Sequence, residues 1–210
     1  MRDIAYEYLK DKILTCEILP GENISEKQVS EVLKTGRTPV RESIITLQNE
    51  GLAEVFPRRG TFATTITTEH TVALYQLRKL IEPAVAIQFK QKLDPVRLMH
   101  FDKQFEKICD QTGRESDIAF YKLDIQFHNF IVGSAENPLL QHMFDDLMQA
   151  TYRLGMYSLT QNLQNPKDKT CKEHQRIIQA VLMEDDLEIQ NAYIDHINRS
   201  RISALKTLAP

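Results

Sequence analysis

The chain has 210 residues, of which 42% are hydrophobic and 26% are charged, and it carries a formal net charge of −3. At roughly 150 residues per domain, this length predicts one large domain or two small ones. Seven glycines, eight prolines and three cysteines are too few for a disordered, collagen-like or disulfide-scaffold protein. The composition is typical of an ordinary globular protein.

Charge, cysteines and hydropathy restrict the partners and location of the chain. Its slight acidity argues against a surface that binds polyanions throughout, so a nucleic-acid site has to be local. Cys16, Cys109 and Cys171 form no C-x-x-C pair and are predicted to be buried thiols. The longest apolar runs, such as residues 84–87, fall far short of the roughly 20 residues that cross a bilayer, and no basic-then-apolar leader opens the chain. We therefore expect a cytoplasmic protein without a membrane segment.

The hydrophobic pattern changes character near residues 64–68. Before this point short helical patterns end in a β-like stretch, whereas after it every periodic segment is helical. This change predicts two domains, over residues 1–66 and 69–210. The expected fold class is mainly α.

Two short helices open the first domain. Ala5, Leu9 and Ile13 recur every four residues and so share one face of the first helix. Ser25 and Gln28, three residues apart, form a capping box that starts the second helix. The apolar stripe of this second helix consists of Val29, Val32 and Leu33. The helix is predicted to end at Gly36.

A third helix follows directly. Thr38 is predicted to cap it, and Pro39 to take its first helical position, where the missing N–H would be unpaired anyway. Helical spacing places three apolar residues on the inner face: Val40, Ile44 and Leu47. The outer face then carries a basic and hydroxyl cluster at the helix N-terminus: Arg37, Thr38 and Arg41.

A hairpin follows the third helix. Residues 52–56 and 61–64 have the pattern of two strands, and they flank the turn Pro57-Arg58-Arg59-Gly60. Arg58 and Arg59 at its tip can reach phosphates or a narrow minor groove. The hairpin is therefore interpreted as a wing.

Two helices joined by a tight turn, with basic and hydroxyl groups at the start of the second, form a helix-turn-helix that presents this terminus to the major groove. The alternative is a solvated helix face on which Glu42 is a surface partner of the arginines, worth less than about 1 kcal/mol. The capping box, the helix start and the hairpin arginines together favour DNA binding.

These segments resemble the GntR family of bacterial transcription regulators over almost the whole first domain. The matching motifs are Leu19-Pro20-Gly21-Glu22, Ser25-Glu26, Arg37-Thr38-Pro39-Val40-Arg41-Glu42-Ser43, Leu47-Gln48-Asn49-Glu50-Gly51-Leu52 and Pro57-Arg58-Arg59-Gly60-Thr61-Phe62. One departure is Gly36, where the family commonly has a serine.

The resemblance implies a winged helix-turn-helix that binds a near-palindromic double-stranded DNA operator as a homodimer. Arg37, Thr38 and Arg41 are then the main DNA contacts. Lys27, and Arg59 with Gly60, are further contacts that the resemblance implies. A dimer also agrees with physical expectation, because one small module neutralises too few phosphates for tight binding at physiological salt.

The second domain is predicted to be an all-α bundle of about six helices. Proline, glycine and acidic breaks separate its segments. The predicted helices are 69–91, 95–112, 116–134, 138–163, 167–184 and 186–207. Within the first of them, Arg78 and Glu82 form an i,i+4 pair.

Four polar residues lie on inward-facing stripes of these helices. Asp124 and His128, four residues apart, share one helix face, and His174 and His196 each lie on an apolar stripe. One carboxylate and three imidazoles that converge in a bundle core would suit zinc, nickel, manganese or iron. Spacing alone leaves open the alternative of hydrogen-bonded core histidines.

The second domain resembles the FCD effector domain of the FadR subfamily of GntR regulators, with a helix number that favours the shorter VanR-like branch. The matching motifs are Arg78-x-x-x-Glu82-Pro83, Leu123-Asp124-x-x-Phe127-His128, Asn137-Pro138-Leu139, Glu173-His174-x-x-Ile177 and Asp195-His196. The resemblance implies a divalent metal held by Asp124, His128, His174 and His196, with open positions for a small carboxylate effector. Arg78, and also Arg153, are then candidates to bind that acid.

Two rival interpretations use the same four residues. A metal-dependent enzyme would activate a water, but it needs an acid or base beside the open position, and Glu173 points about 100° away from His174 around the helix. A purely structural metal would leave dimerisation as the domain's one role. The sequence instead favours a ligand-responsive transcriptional regulator that is not an enzyme, with repression by operator occlusion as the simpler mechanism.

Overall fold

The computed structural model describes residues 2–161 and 167–209. The chain forms two compact units, residues 1–66 and 67–210. The described residues are mainly helical, as predicted, and their three strands all lie in the first unit. No helix among them is long and apolar enough to span a membrane.

The first unit combines three helices with a three-stranded antiparallel sheet. Its elements are α1 (Arg2–Leu14), β1 (Asn23–Ile24), α2 (Glu26–Val32), α3 (Arg37–Asn49), β2 (Ala53–Phe56) and β3 (Gly60–Ala63). The strand order is β1-β3-β2, so β3 pairs with both neighbours. The predicted inner faces of α1 and α3 form the core, which contains the fully buried Leu9, Ile13 and Leu47. The hairpin β2–β3 is the predicted wing, whereas β1 was not expected.

Two details of the predicted helix-turn-helix are wrong. The second helix ends at Val32, which is 62% exposed, because Lys34 adopts a left-handed φ of 49° that stops the helix before Gly36. The third helix begins at Arg37 with Gly36 as its N-cap and no side-chain cap. Thr38 therefore lies inside the first turn, where Pro39 is also tolerated because first-turn N–H groups have no helical partner.

Within residues 67–161 and 167–209, the second unit is a bundle of six long helices. They are α4 (Thr68–Phe89), α5 (Pro95–Cys109), α6 (Arg114–Gly133), α7 (Pro138–Thr160), α8 (Lys167–Leu182) and α9 (Asp186–Thr207), with a short 3₁₀ helix at Lys90–Lys92. Asp94 and Asn137 cap α5 and α7, each followed by a proline at the first helical position. The predicted end of the fourth segment at 162–163 and the break at Asn165-Pro166 lie outside the described residues.

The bundle brings α4, α6, α8 and α9 together around one interior. Helix α4 packs against α9 and α6, and α8 packs against α5 and α9. Aromatic rings of α5 and α6 fill this interior, with Phe105 and Phe127 in edge contact at 5.6 Å between ring centroids. The inward stripes of four helices therefore face one another, which decides where their polar residues meet.

The three free thiols lie in different surroundings. Cys16 and Cys171 are buried as predicted, whereas Cys109 is only half-buried at the end of α5. Burial and a hydrogen bond with Cys109 raise the pKa of the Cys171 thiol to about 12. The Cys171 thiol therefore stays protonated at neutral pH.

Candidate functional site

The N-terminus of α3 presents its basic and hydroxyl cluster to solvent. Arg37, Thr38 and Arg41 are all exposed. Arg41 donates two hydrogen bonds to the carboxylate of Glu26 at the start of α2, from Nε at 3.3 Å and from Nη2 at 3.1 Å. The contact between the starts of α2 and α3 therefore holds the guanidinium of Arg41 in one orientation on an exposed surface.

The other predicted contacts of the first unit are also exposed. Lys27 lies 3.9 Å from Glu31 on α2. At the wing tip, Arg58 has a left-handed φ of 65° and the guanidinium of Arg59 lies 5.7 Å from the ring centroid of Phe56. Gly60 has a φ of 108°, where any other residue is strained, and a Cβ atom there would also lie 2.9 Å from Nδ2 of Asn23, so this position favours glycine.

The four predicted metal ligands converge in the interior of the second unit. Asp124 and His128 come from α6, His174 from α8 and His196 from α9. One ligand atom from each lies within 4.8 Å of all the others, and all four residues are buried. Residues up to 72 positions apart in sequence therefore form one donor cluster.

Short distances connect the members of this cluster. Nε2 of His128 lies 3.2 Å from Nε2 of His174. Nε2 of His174 lies 3.1 Å from Oδ1 of Asp124, and Nε2 of His128 lies 3.8 Å from the same oxygen. The Phe105 ring stacks on His174 at 4.4 Å between centroids, which fixes the plane of this imidazole.

Two glutamates orient the histidine rings from outside the cluster. Oε2 of Glu82 lies 2.6 Å from Nδ1 of His128. Oε2 of Glu173 lies 3.1 Å from Nδ1 of His196, and the same glutamate pairs with Arg199. A carboxylate on Nδ1 keeps the proton there and leaves the Nε2 lone pair free for a metal.

The donor set fits a divalent transition metal. Nε2 of His196 is buried and has no hydrogen-bond partner among the described residues, although a buried nitrogen normally has one. The Nε2 atoms of His128 and His174 face each other and need a cation or a proton between them. Nη2 of Arg78 lies 3.2 Å from Nε2 of His128. Three imidazoles and one carboxylate are ligands that zinc, nickel, manganese and iron accept.

Burial and charge set the protonation of the cluster. Burial alone raises the pKa of a carboxyl, but Arg78 and His128 lower the pKa of Glu82 to about 2. The same two effects act on Asp124. Burial raises the pKa of its carboxyl group, but the hydrogen bond from His174 holds this pKa well below the usual range. Burial lowers the pKa of His174 and His196. Charged carboxylates and neutral imidazoles are the forms that bind metals.

A cavity of about 490 Å³, including its opening to solvent, adjoins the cluster and is lined partly by Arg78, Asp124 and His196. Arg78 is fully buried and its Nε donates to Oε1 of Glu82 at 2.5 Å, so the predicted i,i+4 pair is present. Arg153 is buried in α7, but it is not among the residues that line the cavity. The two predicted effector-binding arginines are therefore not equivalent.

The sequence analysis missed part of the machinery around the cluster. Glu82 was recognised only as a partner of Arg78, although its position four residues later on α4 also brings it to His128. Glu173 was considered as a general base and instead contacts the ring of His196, 23 residues away. No local pattern connects these last two residues, because the packing of α8 on α9 brings them together.

Comparisons with known proteins agree with this architecture. Bacterial regulatory proteins of the GntR family match residues 2–63, and the FCD domain family matches residues 73–199. The HTH-type transcriptional repressor RspR of Escherichia coli is 26% identical over 192 residues, which cover 91% of this chain and 83% of that protein.

Solved structures share the fold. The E. coli protein McbR/YncC has a TM-score of 0.80 and 16% identity, with 99% of this chain and 98% of that chain covered. A structure described as the metal-free FCD domain of TM0439 has a TM-score of 0.55 and 14% identity and covers 69% of this chain and 97% of that chain.

The fold and these matches define a helix-turn-helix transcriptional regulator. The chain belongs to the GntR family, with an FCD domain as its second unit. Its relatives are regulators and not enzymes, which removes the metal-dependent enzyme as an interpretation of the cluster.

Proposed function

We propose that this regulator is a homodimeric repressor whose second unit binds a divalent metal and a small carboxylate effector. The carrying observation is that Asp124, His128 and His174 converge with His196 beside a cavity that reaches the cluster. A metal in such a site would offer open coordination positions to an acid. The relative RspR is a transcriptional repressor, and this supports repression here.

The residues proposed for DNA binding lie in the first unit. Arg37, Thr38 and Arg41 would reach base edges and phosphates in the major groove. Lys27, Arg58, Arg59 and Gly60 would contact the backbone or the minor groove through side chains and the wing tip. Two copies would bind the two halves of a near-palindromic operator.

In the second unit, the metal is proposed to bind Asp124, His128, His174 and His196, and the effector to bind beside Arg78. Arg153 is a weaker candidate because it does not line the cavity. An acid that binds one arrangement of the bundle better than another would shift operator affinity by about 5–150-fold. The metal is zinc, nickel, manganese or iron.

The test is DNA selection from a random library, followed by fluorescence anisotropy on the selected site. The double variant Arg37→Ala, Arg41→Ala should lose specific binding, whereas Lys79→Ala, Lys206→Ala carries the same charge change on the second unit and should retain it. Specific binding should also weaken steeply with salt. Equal binding of both variants would refute the DNA interface.

The effector is tested by adding metal and small carboxylic acids to the same DNA-binding assay. If removal of the metal unfolds the bundle and no acid alters DNA affinity, the metal is purely structural.

A further inference from the structure

We propose that Ile45 on α3 determines operator specificity by contacting the C5 methyl group of a thymine in the major groove. This inference rests on the proposed function, because α3 is taken to lie in that groove. It goes further by assigning base recognition to an apolar side chain outside the basic and hydroxyl cluster. Three observations support it: the exposure of Ile45, its place on the outer face of α3, and the polar character of its neighbours.

Ile45 is an apolar side chain that the first unit leaves uncovered. The inward-facing apolar residues of α3 are buried in the core: Val40, Ile44 and Leu47. Ile45 is 51% exposed, although an exposed isoleucine forgoes the free energy that burial would provide. Single exposed apolar residues are common in folded proteins, so the position of Ile45 on the helix decides what its exposure means.

Ile45 lies on the face of α3 that points away from the core. At about 100° per residue, Ile45 is about 40° around the helix from Arg41 and about 20° from Thr38, and both of these residues are exposed. Neighbouring helices contact the two flanks of this face. Arg2 of α1 donates to Oγ1 of Thr46 at 3.4 Å on one side, and α2 contacts Arg41 on the other. Ile45 therefore lies on the open strip between them, about 6 Å along the helix from Arg41.

The other exposed residues of α3 are polar, which restricts what Ile45 can contact. Among the described residues of this helix they are Arg37, Thr38, Arg41, Glu42, Gln48 and Asn49. A protein partner typically binds a contiguous apolar patch, whereas this face offers a single apolar side chain. In the major groove, the thymine methyl is the apolar group that base edges present among their hydrogen-bond donors and acceptors. One isoleucine among polar side chains therefore matches one thymine methyl among polar base edges.

The proposed contact has an expected place and size. Successive base pairs are about 3.4 Å apart, so the thymine should lie within about three base pairs of the base that Arg41 contacts. Burial of one methyl group changes affinity about fourfold. Loss of this methyl from both half-sites of a dimeric operator should therefore weaken binding by about four- to twentyfold.

The experiment replaces thymidine by deoxyuridine in the operator obtained by DNA selection. Deoxyuridine keeps the base pair with adenine and lacks only the C5 methyl group. Each thymine is replaced in turn, in symmetric pairs, and anisotropy measures the affinity of the full chain. For the wild type, at least one pair within the expected distance should weaken binding about four- to twentyfold. For Ile45→Ala, the same replacement should change affinity less than about twofold, because the partner of the methyl group is gone.

Two further variants separate base contact from other effects. Ile4→Ala is the matched control, because Ile4 is an isoleucine of the same unit with a similar exposure of 57%, and it should keep the wild-type sensitivity to deoxyuridine. Ile45→Val retains part of the side chain and should show an intermediate sensitivity, even where the alanine variant binds weakly. Thermal unfolding should show little change in Tm for these variants, because each replaced side chain is exposed.

Three results would overturn the proposal. They are a wild-type chain that no deoxyuridine replacement weakens, an equal penalty in Ile45→Ala and the wild type, and coupling to a thymine more than about three base pairs from the base that Arg41 contacts. A weaker dimer in Ile45→Ala, with equal deoxyuridine penalties, would instead assign Ile45 to a subunit contact. Specific binding without the coupling refutes the role of Ile45 alone, whereas a chain that selects no operator refutes the DNA interface as well.

Discussion

Arg41 of α3 is held on the protein surface by Glu26 of α2, through two hydrogen bonds between one guanidinium and one carboxylate. The arginine side chain is 68% exposed and the glutamate 27% exposed. A bidentate contact of this kind fixes the plane of the guanidinium. It also places a negative charge next to the surface proposed to meet DNA phosphates.

Glu26→Gln should therefore raise non-specific DNA affinity and lower the ratio of specific to non-specific affinity, by roughly three- to tenfold. The charge that repels phosphates is gone, and Arg41 loses the partner that orients it for a base edge. Anisotropy on the selected operator and on random DNA measures both terms. Glu42→Gln makes the same charge change on exposed α3 and should leave the ratio unchanged. An unaltered ratio in Glu26→Gln would mean that Glu26 does not orient Arg41 for recognition.

Metal binding should depend on the buried cluster and on no other histidine tested. Asp124→Asn and His174→Gln should each lower metal affinity at least a hundredfold, because each removes one of four donors. His142 is exposed on α7, and His142→Gln should keep one ion per chain. Metal at about 100 times its Kd should stabilise the wild-type chain by about 2.7 kcal/mol, or roughly 5–10 °C in Tm. Full metal content in both folded cluster variants would contradict the assignment.

Glu173 should affect the metal without binding it. Glu173→Gln weakens the hold on Nδ1 of His196, so we expect metal affinity to fall about 10–100-fold with the same number of ions bound at saturation. Competition with a chromophoric chelator measures this affinity. Glu188→Gln is the control, since Glu188 forms an exposed ion pair with Arg176. Equal affinity in the two variants would show that Glu173 acts only on Arg199.

The contribution of Glu82 to stability should depend on pH in the metal-free protein. Its pKa is about 2 in the folded chain against an ordinary 4.5. The folded state thus favours the charged form, and the stabilisation is complete above about pH 5 and is lost as pH falls toward 2. Glu82→Gln should lower the free energy of unfolding by about 3 kcal/mol at pH 7, because Arg78 is left buried without its partner.

Urea unfolding between pH 3 and pH 7 tests this dependence. The difference between the wild type and Glu82→Gln should shrink steadily below pH 4.5. Glu136→Gln is the control, because Glu136 pairs with Lys92 at the surface with 73% of its side chain exposed. A wild-type advantage that stayed constant down to pH 3 would count against the ion pair as its source.

Gly155 should not tolerate a side chain. A Cβ atom there would lie 2.4 Å from Cε1 of Tyr121, so Gly155→Ala should cost about 1–3 kcal/mol by overpacking despite the higher helix propensity of alanine. Adding Tyr121→Leu should restore most of this loss. Gly133→Ala meets only the flexible side chain of Gln141 at 3.3 Å and should be close to neutral. Thermal unfolding of the wild type and these three variants decides whether the ring contact is the cause.

Periodic elements were predictable from sequence because burial repeats along each helix. Val40, Ile44 and Leu47 are buried as their spacing predicts, and the helices of the second unit begin within two residues of the predicted positions. The fold class is confirmed for the same reason. Apolar stripes of this length contain enough buried residues that one exposed or polar position does not hide the helical pattern.

Short-range and long-range exceptions were not predictable. Val32 has the spacing of a core residue but is the exposed last residue of α2, and the left-handed Lys34 stops the helix before Gly36. The strand β1 has only two residues, too few for an alternating pattern. The contact between Glu173 and His196 depends on how α8 packs on α9. Spacing therefore predicted which side chains face inward, but not which carboxylate meets which ring.

The pairing of β1 with β3 ties the wing to the segment just before α2. Asn23 opposes Phe62 in the sheet and donates from Nδ2 to the carbonyl of Thr61 at 3.1 Å. A hairpin transferred alone from another regulator would lack its own counterpart of Asn23, the residue that supports it. Exchange of DNA specificity between relatives should therefore transfer residues 23–24 with the hairpin, as one discontinuous cassette.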